Sequence, residues 1–547
     1  MSELSLTLKT QTDELQTKIK ELQLKLKECE NEVSLVSPYS RSCGRTDIST
    51  ILTAEDHGLG LTGRKLRAGG WVKTGRVAGG GAFAFLEVND GTCFESIQTM
   101  ITKEVVEQFS DKGFKMLITT GTSVLLEGEV TRTPDGTKQP IELKVARICH
   151  VGECEGASYP MAKKKQSMEF LRDNLHLRPR TNVIGAVARI RNELSFATHL
   201  FFQRNGFNYV HTPIITCSDC EGAGEMFQVT TMLKHEKVPQ KTDPSQGSSE
   251  SQVGEIDYTT DFFGKPSYLT VSGQLEGEAY ACALTKIYTF GPTFRAEKSY
   301  TSRHLAEFWM IEPEMAFCDI HDDMQCAEDY VRFCCDHLLQ KCRMDLEFLE
   351  KFVDSTCVQR LQEVASSPFK RISYTDAVAI LQTAIQEGKK FEYGVNWGSD
   401  LQSEHERYLT EEVFKCPVIV HDYPAAIKSF YMRRNDDGKT VAAMDVLVPK
   451  IGELIGGSQR EERANILIQK AKESGMELDS YHDYLDLRQY GTVPYHILVL
   501  ELGSNVWSCL RPELKISETL FPIRGGQSIF YRFLIVQRLL NCRNTLS

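Results

Sequence analysis

Residues 291–314 read GPTFRAEKSYTSRHLAEFWMIEPE, and the rest of the chain is organised around them. An apolar run over 287–290 leads into Arg295-Ala296-Glu297. A short polar loop follows, then Arg303-His304, then Phe308-Trp309-Met310 and the carboxylates Glu312 and Glu314. The order predicts a strand, a loop and a returning strand, with the cations gathered at the turn. Two guanidiniums and an imidazole beside an aromatic suit a nucleotide: the cations hold phosphates and Phe308 offers a stacking face. A salt-bridged surface hairpin fits the same composition equally well.

A length of 547 residues predicts two or three domains. Hydrophobic content of 41% and charged content of 25% describe an ordinary globular composition. The net charge is 63 − 74 = −11, so no overall basic field attracts nucleic acid, and any RNA contact must use local patches. No apolar run reaches the roughly 20 residues of a membrane span. Glu3, Asp13 and Glu14, with no arginine before Arg41, argue against an organellar transit peptide. The 17 scattered cysteines then read as reduced cytosolic thiols, and the chain as cytoplasmic. Cys217 and Cys220 form a CxxC without a second pair at zinc spacing.

Leu8, Leu15, Ile19, Leu22, Leu26 and Cys29 mark an amphipathic N-terminal helix, and 31–62 read as linker. Over 63–152 the texture changes to five short β segments parted by Gly and Asp-Gly turns, which predicts a closed barrel of the OB type. Such barrels bind single-stranded nucleic acid by stacking bases on aromatics. Phe83 and Phe85 suit stacking, and Gln98 and Glu142 suit base edges; each taken singly is also ordinary sheet packing or surface. Residues 153–181 form a hinge carrying Lys163-Lys164-Lys165. A helix with one apolar face follows to Asn205-Gly206, then a strand, FNYVHTPIIT, in which Pro213 predicts an edge position. Glu221 and Glu225 lie among glycines, and about 234–256 is a Ser/Gln/Pro-rich insertion. Residues 319–415 read as helices, and strands return after 416.

Arg295-Ala296-Glu297 with Arg303-His304-Leu305-Ala306-Glu307-Phe308 resembles motif 2 of the class II aminoacyl-tRNA synthetases, in the aspartyl/asparaginyl/lysyl subgroup. The helix, strand and Pro213 resemble motif 1, which builds the dimer interface in these enzymes. The stretch from Gly398 to Arg407 resembles their GxDLxxExER segment. GELIGGSQREER from Gly452 and YLDLRQYGTVP up to Pro494 are close to the wording of the eukaryotic asparaginyl branch. The resemblance spans about 60–494. It implies an α+β fold: an anticodon-binding OB barrel ahead of a catalytic domain over 182–494, an antiparallel sheet flanked by helices. It implies activation of L-asparagine by ATP with Mg²⁺ and transfer to tRNA(Asn) by a homodimer. By the same resemblance, Arg295 holds the α-phosphate, Arg303 and His304 the outer phosphates, and Glu297 and Phe308 frame adenine. Glu453 and Asp445 suit Mg²⁺, which takes one or two carboxylates plus phosphate oxygens. Arg460, seven residues after Glu453, matches the amino-acid carboxylate clamp, and Glu221 and Gln274 the ammonium side. Aspartyl enzymes carry a lysine three positions after the glutamine; here that place is Gly277, with Glu278 beside it. A carboxylate at Glu278 accepts from an amide and repels aspartate, which favours asparagine.

After Pro494 the chain departs from its relatives. Motif 3, of the form GFGxGFERL, is replaced by YHILVLELGSNVWSCLRPELKISETLFPIRGG. Taking the last base of each codon with the first two of the next, 498–507 permits Gly-Phe-Gly-Val-Gly-Phe-Glu-Arg-Leu, which points to a change of reading frame near 495–497. The expected consequences are loss of a sheet strand, a core helix and a phosphate-holding arginine. The tail over 495–547 also brings an apolar patch, IFYRFLIVQRLL. An aspartyl enzyme, a free asparagine synthetase and a non-catalytic paralogue remain as alternatives.

Overall fold

The computed structural model describes residues 18, 35–53, 56–137, 139–161, 166–217, 226–234, 256–296, 306–475 and 481–501, the last four of these by their backbone. The chain divides into two compact units, Met1–Arg189 and Ile190–Ser547. The expected N-terminal helix, most of the 234–256 insertion and the tail beyond 501 lie outside the described residues.

The first unit is a barrel. Its strands are β1 (Arg45–Thr46), β2 (Lys65–Ala78), β3 (Phe83–Asn89), β4 (Ile97–Thr102), β5 (Ser123–Arg132) and β6 (Ile141–Gly152). The order β1-β2-β3-β4-β6-β5, with β2 also paired to β5, closes five strands into a ring to which β1 is added. Within the ring β4 and β6 run parallel and the other pairs antiparallel. The 14-residue β2 serves three neighbours, β1, β3 and β5, by bending, with a register shift against β3 between Val72 and Thr74. Gly70 permits that bend: a Cβ there would lie 2.5 Å from the Asn89 carbonyl oxygen. Alternation along the strands sends Leu66, Ala68, Leu86, Val88, Ile97, Ile101, Leu126, Val130, Ile141 and Leu143 inward. One expectation changes. Part of the stretch read as linker belongs to this core: the helix Ile48–Leu52 buries Ile48, Ile51 and Leu52 against the barrel. Five residues are too few to show helical periodicity, so the sequence signal there was composition alone.

The second unit is built on a mixed sheet. Its strands are β7 (Asn208–Tyr209), β8 (Ile215–Thr216), β9 (Tyr268–Leu269), β10 (Lys286–Phe294), β11 (Glu307–Ala316), β12 (Lys370–Ser373), β13 (Val418–Pro424), β14 (Thr440–Val448), β15 (Gly452–Gln459) and β16 (Tyr495–Glu501). The main sheet runs β12-β13-β14-β15-β16-β11-β10-β7, and β8 pairs with β9 apart from it. The six central strands are antiparallel, and both edge strands pair parallel to their neighbours. The single strand expected over 207–216 is two short ones in two sheets, with Pro213 between them. A proline supplies no N–H to a ladder, so pairing breaks around it. Helix Asn182–Arg204 crosses the division between the units. Within the second unit its Phe202 stacks on Tyr288 at 4.8 Å and on Tyr330 at 5.1 Å. Tyr330 belongs to helix Ile320–Lys341, whose start is fixed by a capping box on Asp319.

The departure after Pro494 reads differently in three dimensions. A strand is present where one was expected to be lost: β16 lies hydrogen-bonded between β15 and β11. Backbone hydrogen bonds are blind to side chains, and YHILVLE is rich enough in β-formers to occupy the position.

Candidate active site

The hairpin predicted around residues 291–314 is β10 and β11, paired from Lys286↔Met315 to Phe294↔Glu307. The Arg295 N–H donates to the Ala306 carbonyl at 3.1 Å, carrying the ladder one residue beyond the strands. Arg295 then lays its guanidinium over the Phe308 ring, 5.3 Å from the centroid, so the two residues share one place. Glu297, Arg303, His304 and Glu221 lie outside the described residues.

Behind the hairpin is a buried ionic cluster centred on Glu278, in helix Gln274–Leu284 and 0% exposed. Arg488 Nη2 donates to Glu278 Oε2 at 3.0 Å, Tyr495 Oη to the same oxygen at 2.6 Å, and Tyr484 Oη to Oε1 at 3.2 Å. Gln274 Nε2 approaches Oε1 at 3.4 Å. Arg460 Nε lies 3.2 Å from Oε1 as an ion pair whose N–H is not aimed along the contact. A carboxylate offers about four lone-pair positions, and five donors surround this one. Burial opposes the charges of Arg460 and Arg488, but Glu278 and the surrounding tyrosines more than offset it, so both guanidiniums titrate above their ordinary range. Arg460 is further held over the Tyr431 ring at 4.1 Å. Gln274, Glu278 and Arg460, picked out in the sequence, therefore meet at one point. Arg488, Tyr484 and Tyr495 join them without having been singled out. Tyr484 and Arg488 stand one helical turn apart in YLDLRQY, and that spacing was the available signal.

Two more acids on β11 line this region. Glu312 accepts from Ser272 Oγ, from the Gly273 N–H at 3.1 Å and from Thr289 Oγ1 at 2.7 Å. Glu314 is 0% exposed, and its carboxyl oxygens make no hydrogen bond among the described residues. Burial, and after it the charge on Glu278, pushes the Glu314 pKa well above the carboxylate range. A Cβ on Gly277 would lie 2.3 Å from Glu314 Oε1, so the place of the aspartyl enzymes' lysine is taken by a glutamate.

Asp445 on β14 and Glu453 on β15 face each other across Gly456. Their oxygens lie 3.6 and 3.4 Å from the point where a Cβ on that glycine would sit. Two hard carboxylates lining one cradle that glycine keeps open fit Mg²⁺ completed by phosphate oxygens. No cluster of three or more metal-ligating side chains occurs among the described residues.

On the barrel, Phe83 and Phe85 meet edge to face at 5.3 Å, and Arg76 covers Phe85 at 5.2 Å. Gln98 Nε2 donates to Glu142 Oε2 at 2.6 Å, so these two are engaged with each other. Cys217 is a free thiol, and Cys220 lies outside the described residues.

The family model for class II tRNA synthetases (D, K and N) matches residues 167–496. The chain belongs to the class II aminoacyl-tRNA synthetases. It is 48% identical over 527 residues to cytoplasmic asparagine–tRNA ligase 1 of Arabidopsis thaliana, covering 85% of this chain and 91% of that one. It is 52% identical over 454 residues to the asparagine–tRNA ligase of Protochlamydia amoebophila, covering 82% and 92%. The crystal structure of asparaginyl-tRNA synthetase from Pyrococcus horikoshii complexed with asparaginyl-adenylate superposes with a TM-score of 0.70 at 31% identity, over 85% of this synthetase and 95% of that chain. The family match ends at residue 496, beside the first residues of the departing stretch.

Proposed function

We propose that this synthetase is a cytosolic asparagine–tRNA ligase acting as a homodimer. Asparagine's carboxylate attacks the α-phosphorus of ATP, and pyrophosphate leaves. The terminal ribose hydroxyl of tRNA(Asn) then attacks the adenylate's carbonyl, and AMP leaves. Such catalysis is mostly positioning and charge stabilisation. Arg295 takes the α-phosphate, Arg303 and His304 the outer phosphates, and Glu297 with Phe308 the adenine. Gln274 and Glu221 take the ammonium and Arg460 the carboxylate, while the negative charge of Glu278, whose lone pairs are already engaged, disfavours the second carboxylate of aspartate. Asp445 and Glu453 would hold Mg²⁺, which when bound neutralises phosphate charge. Phe83, Phe85, Gln98 and Glu142 take the anticodon, whose unstacked bases are readable. Helix Asn182–Arg204 and the segment around Pro213 form the dimer contact.

The observation that carries asparagine over aspartate is Gly277 packed against Glu314. No lysine stands there, and an anion, Glu278, stands one residue on. ATP–pyrophosphate exchange tests it: exchange should depend on asparagine, and exchange driven equally by aspartate would defeat the reading.

A second reading, binding with little turnover, is favoured by Tyr495. This first residue of the departing stretch places its hydroxyl on Glu278 at 2.6 Å, and no motif-3 arginine follows it. Adenylate formation by the chain, measured beside equilibrium binding of asparagine, separates the two.

A further inference from the structure

Lys428 has no part in the chemistry above, yet it stands on the proposed metal carboxylates. Its ammonium donates to Asp445 Oδ2 at 2.9 Å, with the two side chains only 18% and 11% exposed. The Tyr423 ring lies 4.1 Å beneath the nitrogen and fixes the stem from the other side. Asp445 and Glu453 share the cradle over Gly456, and Glu406 is close by, its Oε2 accepting the Glu453 N–H at 3.2 Å.

We propose that Lys428 is the resident counter-ion of the Asp445–Glu453 pair and makes divalent-cation binding at this pair depend on nucleotide. The proposal rests on the reading of Asp445 and Glu453 as metal carboxylates. Two carboxylates alone present two negative charges to a hydrated cation; with the ammonium in contact the trio presents one. Mg²⁺ gives up water reluctantly and needs a strong oxygen field to do so. A triphosphate restores that field by bringing its own anionic oxygens, so metal and nucleotide enter together. An ion pair that merely fastens residue 428 to β14 would have no such consequence for metal binding.

The test is Mn²⁺ titration of the full chain, followed by the electron paramagnetic resonance of free Mn²⁺, with and without ATP. Lys428→Met should bind Mn²⁺ without ATP about tenfold or more tightly than the parent. Lys428→Arg, which keeps the charge, should match the parent. Adding Asp445→Asn to Lys428→Met should abolish the gain. Lys428→Gln serves in place of the methionine variant if that one fails to fold. Equal affinities of parent and neutral variant, or a gain that survives Asp445→Asn, would overturn the proposal. If ATP does not raise Mn²⁺ affinity in the parent, the metal reading of Asp445 and Glu453 falls as well. If ATP raises it while the neutral variants gain nothing, only the role of Lys428 falls.

Discussion

Glu278 shows how one side chain serves both packing and specificity. It is a buried anion held by two arginines and two tyrosines, so the positive charges around it depend on it as much as it depends on them. Removing one member of a buried charge network leaves the others uncompensated, at a cost of about 3–5 kcal/mol. Glu278→Gln should therefore lower the urea midpoint of the chain by a corresponding amount. In a chain carrying motif 3 it should also erode discrimination between asparagine and aspartate in ATP–pyrophosphate exchange. Unchanged discrimination in a folded variant would remove Glu278 from amino-acid selection and leave it as a scaffold for Arg460 and Arg488. The sequence picked out Glu278 by its place after Gln274. It did not show the saturation of its lone pairs, because Arg488 and Tyr495 reach it from more than 200 positions away.

At the level of elements, β16 is the place where local preference and tertiary demand meet. A gap between β15 and β11 would leave two ladders unpaired in the middle of the sheet, and an apolar β-forming segment is present to fill it. The fit is imperfect at one residue. His496 is 0% exposed and lies 3.9 Å from Asp323 in the helix Ile320–Lys341. Burial pushes its pKa down to about 3 from the ordinary 6.5, and pushes that of Asp323 well above the carboxylate range. Between pH 6.5 and about 3 the unfolded chain binds a proton at His496 that the folded chain does not, so this residue's contribution is full above pH 6.5 and falls as pH drops. The slope is about 1.4 kcal/mol per pH unit. Asp323 acts with the opposite sign as pH rises above its ordinary value of 3.8, so the clean measurement is a difference. Urea unfolding at pH 7 and pH 5 should show the parent losing about 2 kcal/mol more than His496→Gln. Equal losses would mean that the imidazole is solvated in the folded chain.

For the whole molecule, residues 495–501 of the departing stretch take a place in the sheet, and 502–547 lie outside the described residues. The sheet is complete through 501, whereas the phosphate-holding arginine of motif 3 is absent from the sequence beyond Pro494. Loss of one preorganised charge at a developing anionic centre costs roughly 10²–10³ in rate. Restoring the reading frame at codon 495, so that Gly-Phe-Gly-Val-Gly-Phe-Glu-Arg-Leu follows, should raise asparagine-dependent pyrophosphate exchange by about that factor. Equal rates in the two chains would show that the hairpin Arg295 and its neighbours suffice.

The barrel, the hairpin and the family were legible in the order of amino acids alone. Period-two alternation fixes which face of a strand is buried, and the hairpin's cations stand close together in the chain, where spacing can be read. The tertiary structure alone decided that Pro213 splits a strand, that 48–52 enters the barrel core and that β16 fills the sheet. It also decided that Glu278 is enclosed by Arg460, Arg488, Tyr484 and Tyr495. These outcomes depend on contacts between residues far apart in the chain, and a buried polar group takes whatever partners the fold delivers. Local pattern carries no record of which partners those will be.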